Sequence, residues 1–349
     1  MPDGVANPVR QRSASGRGGC KPRPAEECVR QRSASGRVTA CEIIYSHKIC
    51  QNQEHFNWEL SMEILVYGTI NSVSLALMGL GFAMVYGISR VPNFAHGALY
   101  IICGFVTWTL FQIVGLSYFV AIILSLCVNG ILGMSMYRFV LIKVRGMSIS
   151  EIIASYAIGL VILEGLRFGG FRGMTYTLPV FMEGSLMIGG VPVDYHRVVM
   201  TIIGVALVAG LWVFTHYTRI GLALQGMAQD ERAAMMLGID SDFMAMVAMG
   251  FGAVLAGVAA ILILPLGNIV VESGYHVLIM SIAVCIVGGL GSWMGAFFAA
   301  FIIGYAQILT VVYIGSHFQM VVAILAIILT LILKPSGLFG QQKELEERV

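Results

Sequence analysis

Residues 60–97 read LSMEILVYGTINSVSLALMGLGFAMVYGISRVPNFAHG. Between Met62 and Ile88 this stretch carries one acid, Glu63, and no base. A helix needs about 20 such residues to cross the hydrocarbon core of a bilayer. Apolar and polar residues do not alternate at period two, so the stretch does not read as a barrel strand. It reads as a transmembrane helix, broken near Pro92 by the ring and its missing N–H.

The same pattern recurs along the chain, at about 98–113, 117–141, 149–167, 198–215, 243–264, 277–291, 295–313 and 318–334, with 277–291 short for a full crossing. The predicted fold class is all-α: a polytopic transmembrane helical bundle of about 8–9 spans with broken or re-entrant segments. Composition agrees. Of 349 residues 58% are hydrophobic and 11% charged, and mean hydropathy is +0.84. Soluble domains carry roughly 25% charged residues, and disordered chains have low hydrophobicity, so both classes are excluded. A net charge of +2 points to no nucleic-acid partner.

Residues 1–61 differ from the rest. They hold nine of the 21 Lys and Arg and repeat VRQRSASGR at 9–17 and 29–37. This segment reads as a disordered basic extension. It is either a tail that touches anionic lipid or RNA, or a non-native lead-in with the working start at Met62. The expected organisation is this extension, a membrane domain over 62–340, and a short cytoplasmic tail over 341–349. The cysteines show no C-x₂-C pair, so no metal site is expected.

Basic residues set orientation. Arg138, Lys143 and Arg145 cluster in one loop, Arg219 and Arg232 in the 216–242 loop, and Lys334, Lys343 and Arg348 after the last span. Nine crossings put all three groups on the cytoplasmic side, with the C-terminus inside and loops 168–197 and 265–276 outside.

Three constellations carry polar or glycine-rich chemistry. Asn93-Phe94-Ala95-His96-Gly97 follows Pro92 and places polar groups at membrane depth, where they must find partners or line a watery cavity. It reads equally as a broken helix beside a substrate path or as a loop with an N-cap at Asn93. Gly288-Gly289-Leu290-Gly291-Ser292 reads either as a helix break or as a tight turn between spans. It lacks the context of a dinucleotide fingerprint. In the 216–242 loop, Asp230 and Glu231 suit a helix's first turn. Arg232, Ala233, Ala234, Met235, Met236 and Leu237 continue that helix, and Gly238 suits its stop. The result is a short helix with an apolar end, set either to dock in a partner's groove or to pack on its own bundle.

Glu164 stands three residues before Arg167 on one helical face, which favours a structural ion pair over a proton relay. No P-loop, H-E-x-x-H or G-x-S-x-G occurs. The chain reads as no enzyme and binds no cofactor of its own.

NSVSLALMGLGFAMVYGISRVPNFAHG (71–97) resembles the opening of bacterial ABC-transporter permeases for branched-chain amino acids, the LivH type. TRIGLALQGMAQDERAAMMLGID resembles their coupling loop, VGGLGSWMGAFFAAFIIGYAQ their late glycine motif, and KPSGLFG their close. The motifs run in family order over about 64–340. In the wider importer motif a Glu precedes the Ala pair, where Arg232 stands here, with Glu231 one earlier; Gly238 keeps its spacing.

The resemblance implies a permease subunit of an ATP-driven importer for branched-chain amino acids in the cell (inner) membrane. Its partners would be a second permease subunit, two cytoplasmic ATP-binding subunits that use the ATP, an extracytoplasmic substrate-binding protein, and membrane lipid. Asp230 to Met236 and Gly238 would contact the ATPases. Asn93, Phe94, His96, Gly97, Gly288, Gly289, Gly291 and Ser292 would flank the translocation path. Similar permeases are assigned to urea or short amides, and a self-sufficient secondary carrier is the competing class.

Overall fold

The computed structural model describes residues 40–169 and 176–340. Residues 1–39, most of the expected extension, and the expected tail 341–349 lie outside the described residues. Backbone packing divides the chain into residues 1–56 and 57–349.

The first helix, α1, runs Ala40–Ser89. Disorder is expected through residue 61, yet the backbone is helical from Ala40. Residues 40–59 contain no Gly or Pro, so nothing in that stretch breaks a helix. The remaining helices are α2 (His96–Gln112), α3 (Tyr118–Met136), α4 (Ser148–Gly169), α5 (Tyr195–Tyr217), α6 (Arg219–Gln229), α7 (Glu231–Met236), α8 (Ser241–Ile263), α9 (Glu272–Gly288), α10 (Trp293–Tyr313) and α11 (Gln319–Leu333). A π-helical turn, Tyr137–Leu141, extends α3.

Each of the nine expected apolar segments is helical. Seven are long and apolar enough to cross a membrane: Leu60–Ser89, Tyr118–Val144, Ile149–Gly169, Tyr195–Tyr217, Ser241–Leu266, Trp293–Tyr313 and Ser316–Leu333. The other two, α2 and α9, have 17 residues each. At 1.5 Å per residue these fall short of the roughly 30 Å core. They are the broken elements of the bundle.

The membrane part of α1 and α8 form its centre and are largely buried, while α4, α5 and α11 expose most of their apolar surface. Patches of this size are untenable in water and are satisfied in lipid. Inside, glycines let backbones approach. Gly81 on α1 and Gly252 on α8 face each other, and a Cβ on either would stand within about 3.0 Å of the other's carbonyl oxygen. Between α4 and α5 a hairpin pairs β1 (Ser185–Ile188) with β2 (Val191–Asp194), antiparallel. Gly189 and Gly190, at φ +59° and +91°, make its turn.

Candidate functional site

The first break is built around hydrogen bonds that replace a helix. Asn93 is buried, and its side-chain oxygen accepts from the N–H of Ala95 at 3.0 Å. This closes a side-chain turn in place of the helical turn that Pro92 forbids. The Phe94 N–H donates to Ser155 Oγ on α4 at 3.2 Å. His96 is buried against Phe82, and its Nε2 donates to the Met78 carbonyl at 3.0 Å. Ser281 Oγ on α9 donates to the same carbonyl at 2.9 Å. One carbonyl of α1 therefore holds the starts of α2 and the middle of α9. His96 Nδ1 has no protein partner.

Gly97 lies against the first turn of α9. A Cβ there would run into the carbonyl oxygen of Gly274. Phe94, Gly97, Tyr156, Leu160, Gly274 and Tyr275 line a crevice between α2, α4 and α9 with a free volume of about 10 Å³. That is room for about one water molecule. One turn beyond it, Arg167 bonds Glu272 at 2.7 Å and stands 3.7 Å from Glu164. The expected Glu164–Arg167 pair exists, but the closer partner of Arg167 comes from α9.

The second break is filled by the chain itself. Gly289 and Gly291 have φ of +107° and +88°, a region that glycine enters without strain. Ser292 caps α10, its Oγ accepting from the N–H of Gly295 at 3.0 Å. A Cβ on Gly288 would meet the backbone of Gly295 and Ala296. The N–H groups of Leu338 and Phe339 donate to the carbonyls of Val287 and Gly288 at 2.9 and 3.0 Å, and Phe339 stacks on Phe298. No hydrogen bond or ring contact joins the two breaks among the described residues. Phe94 and Gly97 line the crevice; Gly288, Gly289, Gly291 and Ser292 do not.

The helix expected in the 216–242 loop is shorter than expected and is joined to a second one. Asp230 is extended, at φ −151° and ψ 104°, so α6 ends and α7 begins there. Its side chain caps α7 by accepting from the Ala233 N–H at 3.0 Å. Gly238, at φ +83°, ends the turn. Ala234 is buried against the bundle with Leu224 and Met227, whereas Arg232, Ala233 and Met235 face outward. Met236 and Leu237 are 88% and 84% exposed.

Glu231 is not free. Arg145, in the turn before α4, donates to Glu231 Oε1 at 2.6 Å and also contacts Ser241 and Asp242. Ser241 Oγ donates to Glu231 at 2.6 Å, and Tyr137 Oη donates to Asp242 at 3.1 Å. Burial works against the Arg145 charge, but Tyr137 and the carboxylates of Asp242 and Glu231 outweigh it and raise the pKa above the ordinary guanidinium value. In the sequence Arg145 marks only the side of the membrane. Nothing in residues 145, 231 and 242 signals that they meet. Among the described residues no group of three or more His, Cys, Asp or Glu gathers as metal ligands would.

A family model described as branched-chain amino acid transport system / permease component matches residues 64–333. The high-affinity branched-chain amino acid transport system permease protein BraD of Pseudomonas aeruginosa is 28% identical over 295 residues, covering 80% of this chain and 96% of its own. The corresponding protein LivH of Escherichia coli K12 is 27% identical over 292 residues, covering 76% and 91%. A probable LivH of Methanocaldococcus jannaschii is 29% identical over 292 residues, covering 79% and 92%. Among solved structures, PsaBC from Streptococcus pneumoniae in complex with Fab aligns with a TM-score of 0.50 and 13% identity, over 85% of this chain and 99% of that one. At that identity the likeness concerns the fold alone.

Proposed function

We infer the role of this chain from one premise: it belongs to the family of branched-chain amino acid transport permease components, whose model spans most of its length. It is a multi-pass inner-membrane permease subunit of an ABC importer, and we propose branched-chain amino acids as its substrate class. As a transport permease it carries out no chemical step itself. Partner subunits hydrolyse ATP.

The finer assembly is part of the proposal. A second permease, two cytoplasmic ATPases and an extracytoplasmic binding protein complete the importer, with the C-terminus on the cytoplasmic side. ATP stays on the partners. The single observation that supports the coupling role is α7. It is capped at Asp230 and stopped at Gly238, and it leaves Met236 and Leu237 bare beyond the bundle. A large apolar pair held out on a rigid turn fits a groove in another protein, and flexible Met side chains adapt to such grooves. Asp230, Glu231, Arg232, Ala233, Ala234, Met235, Met236 and Gly238 form that docking element. Asn93, Phe94, His96 and Gly97 belong to the path side of the bundle, and Gly288, Gly289, Gly291 and Ser292 to the hinge that the closing segment fills.

Directional transport needs a contact that differs between ATP states, because a ligand shifts a conformational equilibrium only by its differential affinity. The test is isolation of the chain from its native membrane by a C-terminal tag, followed by ATP-dependent leucine uptake in proteoliposomes. The expected result is co-purification of two ATPases and a second permease, with uptake that requires ATP. A chain that purifies alone and takes up leucine on an ion gradient overturns the proposal.

A further inference from the structure

Arg145 stands where three elements meet. It follows the π-helical turn and the single α-helical turn Ile142–Val144 that extend α3, it bonds Glu231 on α7, and it contacts Ser241 and Asp242 at the start of α8. Tyr137, in the π-helical turn itself, donates to the same Asp242 oxygen. Ser241 also bonds Glu231 directly. A guanidinium suits such a place, because it presents five donors in a fixed planar fork where an ammonium offers three on a flexible stem.

Above this junction α3 and α8 are bound along their length. Asn129 Nδ2 donates to the Ala253 carbonyl at 2.6 Å. A Cβ on Gly133 would stand 2.7 Å from both the Ala253 side chain and the Met249 carbonyl, and one on Gly250 would stand 2.6 Å from Met134. Tyr137 and Leu141 pack with Ala245, Met249 and Val85. Two helices in backbone contact, with a buried amide bridging them, have little room to slide separately.

We propose that Arg145 is the positioning residue that passes movement of α7 into α3 and α8, and that these two helices move as one body. The inference rests on the coupling role proposed for α7 and adds the route by which that role reaches the membrane. A push on Met236 and Leu237 displaces Glu231. Arg145 and Ser241 carry the displacement to the ends of α3 and α8 together. The π-helical turn, a feature common at functional sites, belongs to that body: Tyr137 and Leu141 within it pack on Ala245 and Met249 of α8. A residue of this kind joins two elements whose relative position both sites bias, which is the physical requirement for coupling.

The experiment uses the complete importer in proteoliposomes and measures ATP hydrolysis and leucine uptake on one preparation. In Arg145→Gln the uptake per ATP should fall about tenfold while hydrolysis stays within about twofold of wild type, a split that a purely structural role would not give. Arg145→Lys, which keeps charge without the fork, should fall between. The exchange Arg145→Glu with Glu231→Arg should recover part of the ratio. A wild-type ratio in Arg145→Gln overturns the proposal. Should that variant fail to insert, Arg145→Lys decides, and a wild-type ratio there overturns it equally. Wild-type transport separates the two inferences. If the wild-type assembly moves a different solute under ATP, the substrate reading fails and the Arg145 ratio is read with that solute.

Discussion

Arg167 and Glu272 join the last turn of α4 to the first residue of α9 across 2.7 Å, one turn beyond the crevice lined by Leu160, Tyr156 and Gly274. Both side chains are about half or more exposed. Helix α4 starts beside Arg145 and has 22 residues, so the pair lies roughly 30 Å from the α7 end of the bundle. Exposed pairs contribute about 0–1 kcal/mol, and such a bond opens easily. Glu272→Gln should therefore leave melting temperature nearly unchanged and loosen the α4–α9 seam. A cysteine at Leu160 should react with a membrane-impermeant maleimide about threefold faster in that background, and added salt should have the same effect. Equal labelling rates would assign the pair no role in closing the seam.

Gly97 meets the Gly274 carbonyl without room for a methyl group. Both partners at that contact are backbone, so neither can rotate away. Gly97→Ala should destabilise the folded bundle by about 1–3 kcal/mol through overpacking. The check is the temperature at which the detergent-solubilised protein loses its gel-filtration peak. Gly165→Ala, where the helix faces open space, is the control and should hold or slightly raise that temperature, since Ala is the better helix former.

Met236 should tolerate a charge without harm to the fold, because it touches solvent rather than the bundle. Met236→Glu should insert and purify as wild type, yet lose uptake by about tenfold or more through its partner contact. Charging Met235 as well should deepen the loss. Undiminished uptake in the double variant would remove α7 from the ATPase contact.

The Met78 carbonyl accepts from both His96 and Ser281. Ser281→Ala leaves His96 in place and should cost about 0.5–1.5 kcal/mol. Replacing both donors should cost more than the sum of the single changes, because the second removal leaves that acceptor without either side-chain partner. A double-mutant cycle on thermal stability reads this directly.

Much of the architecture is legible in the sequence because lipid imposes long apolar runs. Each of the nine runs is a helix, and Gly238 marks the end of α7 by ordinary capping chemistry, while Asp230, expected in its first turn, stands one residue ahead as the N-cap. What hides is pairing at long sequence distance. Arg145 and Glu231 are 86 residues apart, and Arg167 and Glu272 are 105 apart. No local periodicity reports either meeting. Gly288 and Gly289 show a break in the run, but the segment that fills it lies some fifty residues on. The split between α6 and α7 is likewise hidden, since Asp230 ends one helix by the same geometry that begins the next.

The bonds from Leu338 and Phe339 to the carbonyls of Val287 and Gly288 have a consequence for biosynthesis. Ribosomes deliver a chain from its N-terminus, and early segments fold first. Helices α9 and α10 enter the membrane while the strap that closes the turn between them is still unmade. The carbonyls of Val287 and Gly288 wait for donors made some fifty residues later. This turn therefore closes well after its own residues emerge, and a nascent chain stalled before Ser336 should present it unfinished to the quality-control proteases of the membrane.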